Sequence, residues 1–277
     1  MLLTRAVIDT DLSDPALVAR VREDLRTTGC CVLPGLVRPD LRETLRREGA
    51  AVAPLAYYDV ETVNVYNTEP DETLPAEHPA RIPMQRGNAF VARDTIPVDS
   101  LIHRLYAGAE FQAFVAACFG LPQVYPLADP LAGLTLNVVT PGRSHPWHFD
   151  TNEFTVSLLT QAPEAGGVFE YCPNIRSAQA ENVDDVHAVL DRRGEHLIRR
   201  LTLQPGDLQL FLGRYSLHRV STVHGAVDGA ASDRHSAIFA YSERPGVIGS
   251  LARTRQLFGR VTPAHLGRTV RVDQLMD

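Results

Sequence analysis

The stretch Leu134-Thr-Leu-Asn-Val-Val-Thr-Pro-Gly-Arg-Ser-His-Pro-Trp-His-Phe-Asp150 decides the fold. Residues 134–139 form an apolar, β-branched run, the composition of a strand. Residues 140–144 break it with a Pro-Gly turn signal. His148 and Asp150 then follow two residues apart, so on a strand they point to one face. Alone, a His-x-Asp triplet is weak in a chain with ten histidines, where a surface or hydrogen-bonded imidazole is the ordinary alternative.

Reading onward strengthens it. The turn Gln204-Pro-Gly-Asp207 leads into a second apolar run, Leu208-Gln-Leu-Phe-Leu212, and then into Gly213-Arg-Tyr-Ser-Leu-His218. Two imidazoles and one carboxylate are the facial ligand set of non-haem Fe(II), which leaves coordination positions open for a co-substrate and O2. Arg234-His-Ser236 precedes a further apolar run, Ala237-Ile-Phe-Ala-Tyr241. On a strand Arg234 and Ser236 share a face, and a guanidinium fork with a hydroxyl can hold a carboxylate. His235 alternates with them and points away, and His224, before Gly225, reads as a surface histidine.

The rest of the chain supplies a scaffold. Asp14-Pro-Ala-Leu-Val-Ala-Arg-Val-Arg-Glu-Asp-Leu25 predicts a capped amphipathic helix that ends at Gly29. Residues 30–33 read as a strand, 39–48 as a second helix and 101–119 as a third. Residues 55–100, rich in Pro, Asn and acids, read as long loops. From Thr135 onward short β-rich runs alternate with turns, the pattern of a sandwich or jelly roll, with a helical insertion over 178–193. The expected architecture is α+β and mainly β: a double-stranded β-helix, cupin-like, under an N-terminal helical layer. As one domain, 1–130 would give helical support and substrate loops, 131–260 the jelly-roll core and 261–277 a tail.

Composition narrows the function. The chain has 277 residues, 44% of them hydrophobic and 22% charged, enough for a sizeable core. A net charge of −6 without a basic stripe argues against nucleic acid as a partner. Cys30, Cys31, Cys118 and Cys172 lack metal-binding or redox spacing and read as buried thiols. No segment reads as a leader or a membrane span, and a reducing cytoplasm suits both the thiols and Fe(II).

In order, His148-Phe-Asp150, His218 and Arg234-His-Ser236 resemble the Fe(II)/2-oxoglutarate-dependent oxygenase superfamily. Over about residues 80–260 the chain is similar to its branch of bacterial free-amino-acid halogenases and hydroxylases. The similar segments are His145-Pro-Trp-His-Phe-Asp150, Phe154-Thr-Val-Ser-Leu-Leu159, Glu164-Ala-Gly-Gly-Val-Phe-Glu-Tyr-Cys-Pro-Asn-Ile-Arg176, Gly213-Arg-Tyr-Ser-Leu-His-Arg-Val220 and Arg244-Pro-Gly-Val247. The resemblance implies Fe(II) on His148, Asp150 and His218, with 2-oxoglutarate and O2 as co-substrates. It implies that Arg234 and Ser236 take the distal carboxylate of 2-oxoglutarate, with Arg219 the rival arginine, and that Asn137 touches the co-substrate. His145 and Arg86 would grip the substrate's α-carboxylate, with Arg93 the rival of Arg86. Trp147 and Thr151 are further substrate candidates, Trp147 being equally suited to core packing, and Asp129, Asn152 and Glu170 stand behind them.

One departure bears on the outcome. Halogenases of that branch carry Gly or Ala where this chain has Asp150, which opens a site for halide. With the carboxylate present, hydroxylation of a small amino acid or a derivative is expected, with desaturation or cyclisation as the alternative outcome at the same site. From other classes, a cupin-type isomerase or lyase would use the metal as a Lewis acid without O2, and a non-catalytic binding protein would use only the scaffold. A 2-oxo-acid clamp argues against the first, and a complete triad against the second.

Overall fold

The computed structural model describes residues 6–152, 154–225 and 232–266. Residues 226–231 of the loop expected before Arg234, and 267–277 of the expected tail, lie outside these.

Local chemistry sets the helices. The Asp14 carboxylate accepts the Ala16 N–H at 2.9 Å and Pro15 opens α1 (Pro15–Thr28), where its missing N–H leaves no helical bond unmade. Gly29 ends the helix at φ 68°, and a side chain there would also strike Ser216 and Asn174. β1 (Cys30–Leu33) follows as expected. The helix expected from Pro39 opens with a 3-10 turn and becomes α2 (Arg42–Val52). The helix expected over 101–119 is two, α3 (Leu101–Ala107) and α4 (Ala109–Phe119), because Gly108 takes an extended ψ of 120° between them.

Residues 55–100 are not all loop. They carry β2 (Tyr57–Val63) and β3 (Met84–Val91), paired antiparallel from Tyr57↔Phe90 to Val63↔Met84. Asp59, Glu61, Arg86 and Asn88 give these strands a loop-like composition, and Glu61 and Arg86 pair with each other across the two strands rather than entering an apolar core. The first 130 residues thus contribute β1, β2 and β3 to the large sheet as well as helices. The expected boundary of the β core at residue 131 is corrected accordingly.

The remaining strands are β4 (Tyr125–Pro126), β5 (Leu134–Val139), β6 (His145–His148), β7 (Thr155–Gln161), β8 (Ala165–Gly166) and β9 (Phe169–Tyr171), then β10 (Arg199–Leu201), β11 (Leu208–Phe211), β12 (His218–Val220), β13 (Val223–His224), β14 (Arg234–Phe239) and β15 (Tyr241–Ser242). The helical insertion shortens to α5 (Val183–Leu190), and α6 (Leu251–Phe258) follows the last strand. One large sheet runs β1-β11-β7-β14-β5-β3-β2, and a smaller one β10-β9-β12-β6 faces it. This is the double-stranded β-helix the sequence pattern predicts.

Strand alternation divides the large sheet by chemistry. Leu134, Leu136, Val138, Val156, Leu158, Ala237 and Phe239 pack outward against the helices in the main core. Thr135, Asn137, Ser157, Gln209, Arg234 and Ser236, buried or half-buried, occupy the alternate positions on the other face. A second core under the small sheet holds Trp147, Phe149, Cys172, Val186 and Leu217. No helix among the described residues is long and apolar enough to cross a membrane.

Candidate metal centre and co-substrate clamp

β6 and β12 pair antiparallel and set His148 directly opposite His218. Their rings come within 4.1 Å, centroid to centroid. Asp150, just past β6, is tied by its N–H to the Gly213 carbonyl at 3.1 Å. Its Oδ1 lies 3.7 Å from Nε2 of His148 and 3.5 Å from Nε2 of His218. The three candidate ligand atoms fall within 4.8 Å of one another, and this is the one such His/Cys/Asp/Glu group among the described residues.

The surroundings fit a metal. Nδ1 of His148 meets the Pro146 carbonyl at 2.8 Å, and Nδ1 of His218 meets the Ser216 carbonyl at 2.9 Å. A carbonyl only accepts, so each Nδ1 carries a proton and each Nε2 is turned toward Asp150, the atom left to bind a metal. Burial, with the neighbouring rings of His145 and His218, holds the His148 imidazole well below its ordinary pKa, in the neutral form a metal needs. Burial would raise the Asp150 carboxyl, but His218, His148 and a 2.6 Å hydrogen bond from the Thr155 hydroxyl outweigh it and keep it ionised. A Cβ added at Gly213 would lie 1.9 Å from Asp150 Oδ2, so the glycine provides the slot that the carboxylate fills.

Arg234 and Ser236 point into the barrel from β14, and the Arg234 Nη1 donates to Ser236 Oγ at 2.8 Å. Both are only 5% exposed. Arg234 has no carboxylate partner among the described residues, and burial pushes its pKa down to about 10. It borders a cavity of about 280 Å³ lined also by Leu159, Gly167, Phe169 and Leu201. Asn137 sits directly across from Ser236, its amide donating to the Ala89 carbonyl at 3.3 Å. The rival Arg219 is engaged elsewhere: it pairs with buried Glu170 and lies 4.7 Å over the Trp147 ring. His235 faces the helices beside Gly49, away from the cavity.

His145 stacks on His148, with centroids 4.0 Å apart and planes 8° from parallel. Pro146 lets the chain depart from regular alternation, so both rings lie on one side. Phe90 meets His145 edge-on at 6.4 Å. Arg86, opposite Glu61 on β2, donates to Glu61 at 2.7 Å and to Asn67 at 2.8 Å. Asn67 donates in turn to the Phe149 carbonyl at 2.8 Å, which joins Arg86 to the metal-bearing segment. The rival Arg93 instead lies over Tyr106.

Other candidates have structural roles. Trp147, expected beside substrate, is packed in the second core; alternation on β6 turns it away from His148. Thr151 is exposed, and its carbonyl accepts from Arg214 at 2.9 Å. Asp129 is saturated by backbone N–H groups and His265, and Glu170 by Arg200 and Arg219. Asn152 is exposed. Sequence reading missed Thr155, Gly213, Glu61, Asn67 and Arg253. Thr155, close behind Asp150, and Gly213, at the head of the segment that ends in His218, stood near motifs without being singled out. Arg253 comes from α6 and lies near enough to His145, Arg86, Glu61 and Asp150 for their charges to interact.

Residues 13–229 match the family Halogenase D. No curated protein matches the sequence. Among solved structures, the epimerase SnoN in complex with Fe3+, alpha ketoglutarate and nogalamycin RO is 14% identical, with a TM-score of 0.55 over 94% of this chain and 97% of that one. AviO1 from Streptomyces viridochromogenes is 21% identical, with a TM-score of 0.53 over 83% and 96%. EctD from S. alaskensis with bound Fe is 19% identical, with a TM-score of 0.52 over 85% and 80%. At these identities the likeness is one of fold. With the family match and the triad in place, the chain belongs to the Halogenase D family and is an Fe(II)/2-oxoglutarate-dependent oxygenase.

Proposed function

We propose that this oxygenase hydroxylates an unactivated C–H bond of a small α-amino acid or a close derivative. The observation that carries the reading is Asp150. In a family named for halogenases, this chain keeps the carboxylate ligand and builds a place for it, with Thr155 on one oxygen and no side chain at Gly213. A filled third ligand position leaves halide no vacated site.

Bound together, Fe(II), 2-oxoglutarate and O2 supply an oxidant that cleaves C–H bonds, with succinate and CO2 as by-products. The protein's own part is binding, orientation and exclusion of water. His148, Asp150 and His218 would hold the metal, a two-histidine, one-carboxylate ligand set that leaves room for a co-substrate and O2. Arg234 and Ser236 take the distal carboxylate of 2-oxoglutarate, with Asn137 alongside; the buried, carboxylate-free guanidinium supports this role. His145 and Arg86 take the substrate's α-carboxylate, as an N–H donor and a guanidinium fork. The clamp argues against a Lewis-acid isomerase, which needs no 2-oxo acid. The whole chain acts as one oxygenase domain, a reading supported by a large sheet that draws strands from Cys30 to Phe239. Four buried free thiols suit a reducing cytoplasm.

The test is turnover. Anaerobically purified protein is given Fe(II), 2-oxoglutarate, O2, excess chloride and a panel of amino acids with their methyl esters. Succinate should form with a product heavier by one oxygen atom, and the ester of the accepted amino acid should fail. A chlorine isotope pattern would overturn the hydroxylase reading, loss of hydrogen would mark desaturation or cyclisation, and equal use of the ester would remove the α-carboxylate clamp.

A further inference from the structure

α6 lies across the β2–β3 hairpin, on the face that looks toward the metal centre. Cross-strand pairing puts Tyr57 opposite Phe90 and Glu61 opposite Arg86, all on that face. Phe258 at the end of α6 packs with Phe90 and Leu131, and Gly259 just beyond approaches the Tyr57 ring. Phe90 reaches His145, and His145 stacks on His148. One continuous wall therefore runs from α6 to the metal ligands. Arg253, in the first turn of α6 behind the Ser250 cap, belongs to that wall.

The two arginines of the wall are not equivalent. Arg86 is already answered by the Glu61 carboxylate and the Asn67 carbonyl oxygen. The Arg253 guanidinium donates only to the neutral side chain of Gln256, and no carboxylate lies within ion-pair distance among the described residues. Burial pushes its pKa down to about 9, and the charge of Arg86 adds to that; Asp150 and Glu61 oppose it without reversing it. A half-buried cation without a counter-charge is costly unless a ligand supplies one.

Charge bookkeeping around the site shows what that ligand carries. Divalent iron, the Asp150 carboxylate, doubly charged 2-oxoglutarate and Arg234 sum to zero. Arg86 and Glu61 pair with each other and cancel. Arg253 remains. A zwitterionic amino acid adds no net charge and would leave that cation unanswered, whereas an amino acid with one further negative group completes the balance. We infer that the substrate is an α-amino acid bearing a second carboxylate, and that Arg253 is the residue that reads this second group. The inference rests on the amino-acid reading above and narrows it; Arg253 is a specificity residue with no part in holding the metal or 2-oxoglutarate.

The experiment is calorimetric titration under anaerobic conditions of the protein loaded with Fe(II) and 2-oxoglutarate. The probes are L-aspartate, L-glutamate, their amides L-asparagine and L-glutamine, and L-lysine. One of the two acids should bind at least about 30-fold more tightly than its own amide, the low end of the effect of losing one partner of a desolvated charge pair. R253Q should lose that preference by weakening the acid and leaving the amide nearly unchanged, while R253K should keep part of it. Thermal melts and 2-oxoglutarate affinity should stay as in the parent protein. Equal binding of acid and amide, tighter binding of L-lysine, or an undiminished preference in R253Q would overturn the inference. If a neutral or basic amino acid is bound and hydroxylated, the amino-acid reading stands and the dicarboxylate reading falls. If no amino acid binds, both fall.

Discussion

At the scale of single residues, the site depends on volume left free as much as on ligands. Asp150 occupies the space a side chain at Gly213 would take, 1.9 Å from the nearest carboxylate oxygen to the would-be Cβ. Gly213→Ala should therefore turn the carboxylate out of its slot. Gly213 is not among the glycines with positive φ, so the backbone tolerates alanine and the fold should persist. We expect Fe(II) affinity to fall by about 10- to 100-fold, the usual cost of disturbing a ligand's support, with little change in melting temperature. Anaerobic metal titration measures it; unchanged affinity would separate Asp150 from the metal. The ligands themselves were legible because the chemistry restricts their types and strand alternation restricts their spacing. The role of Gly213, though it heads the segment ending in His218, and that of Arg253 were not, because each acts through contact with a segment distant in the chain. Trp147 shows the converse: a strand neighbour of a ligand that packs into the opposite core.

At the scale of elements, capped helices and alternating apolar strands followed from the sequence, while the β2–β3 hairpin did not. Its residues Asp59, Glu61 and Arg86 are polar, Glu61 and Arg86 because they pair across the strands beside the metal-site cavity, and polarity reads as loop. The same cavity needs α6 held in place, and a buried pair does so. Asp129 accepts from the N–H groups of Leu131 and Ala132 beside it, from Gly249 before α6 at 3.0 Å and from His265 after it at 3.0 Å. Burial would raise the Asp129 carboxyl, but these hydrogen bonds lower it further, so it stays a carboxylate. Asp129→Asn cannot satisfy all four donors, because its amide nitrogen accepts nothing. Breaking such a pair costs about 3–5 kcal/mol, felt most where the helix is tethered. Thermal stability should fall, and the KM for the amino acid should rise more than that for 2-oxoglutarate, since Arg234 sits on a central strand far from the tether. Equal changes in both KM values would show that the pair supports the whole fold and not α6.

At the scale of the whole molecule, the large sheet is the partition between a helix-covered core and the catalytic cavity, and β1 shows how tightly the two are joined. Cys30 and Cys31 are chain neighbours, yet Cys31 packs in the main core while Cys30 packs with Phe169, Tyr171 and Phe211 inside the barrel. Cys118 shares the main core and Cys172 the second one. β1 cannot leave one core without opening the other. Burial pushes all four thiols up to about 12, so at pH 8 the reactive thiolate fraction is on the order of one in ten thousand. Native protein should resist iodoacetamide at pH 8, and intact-mass spectra should show no adduct. With rising urea the four cysteines should become reactive together, along one common transition, because the strand that carries two of them ties the cores into a single cooperative unit. Labelling of Cys172 at urea concentrations that leave Cys30 and Cys31 protected would show instead that the small sheet opens on its own.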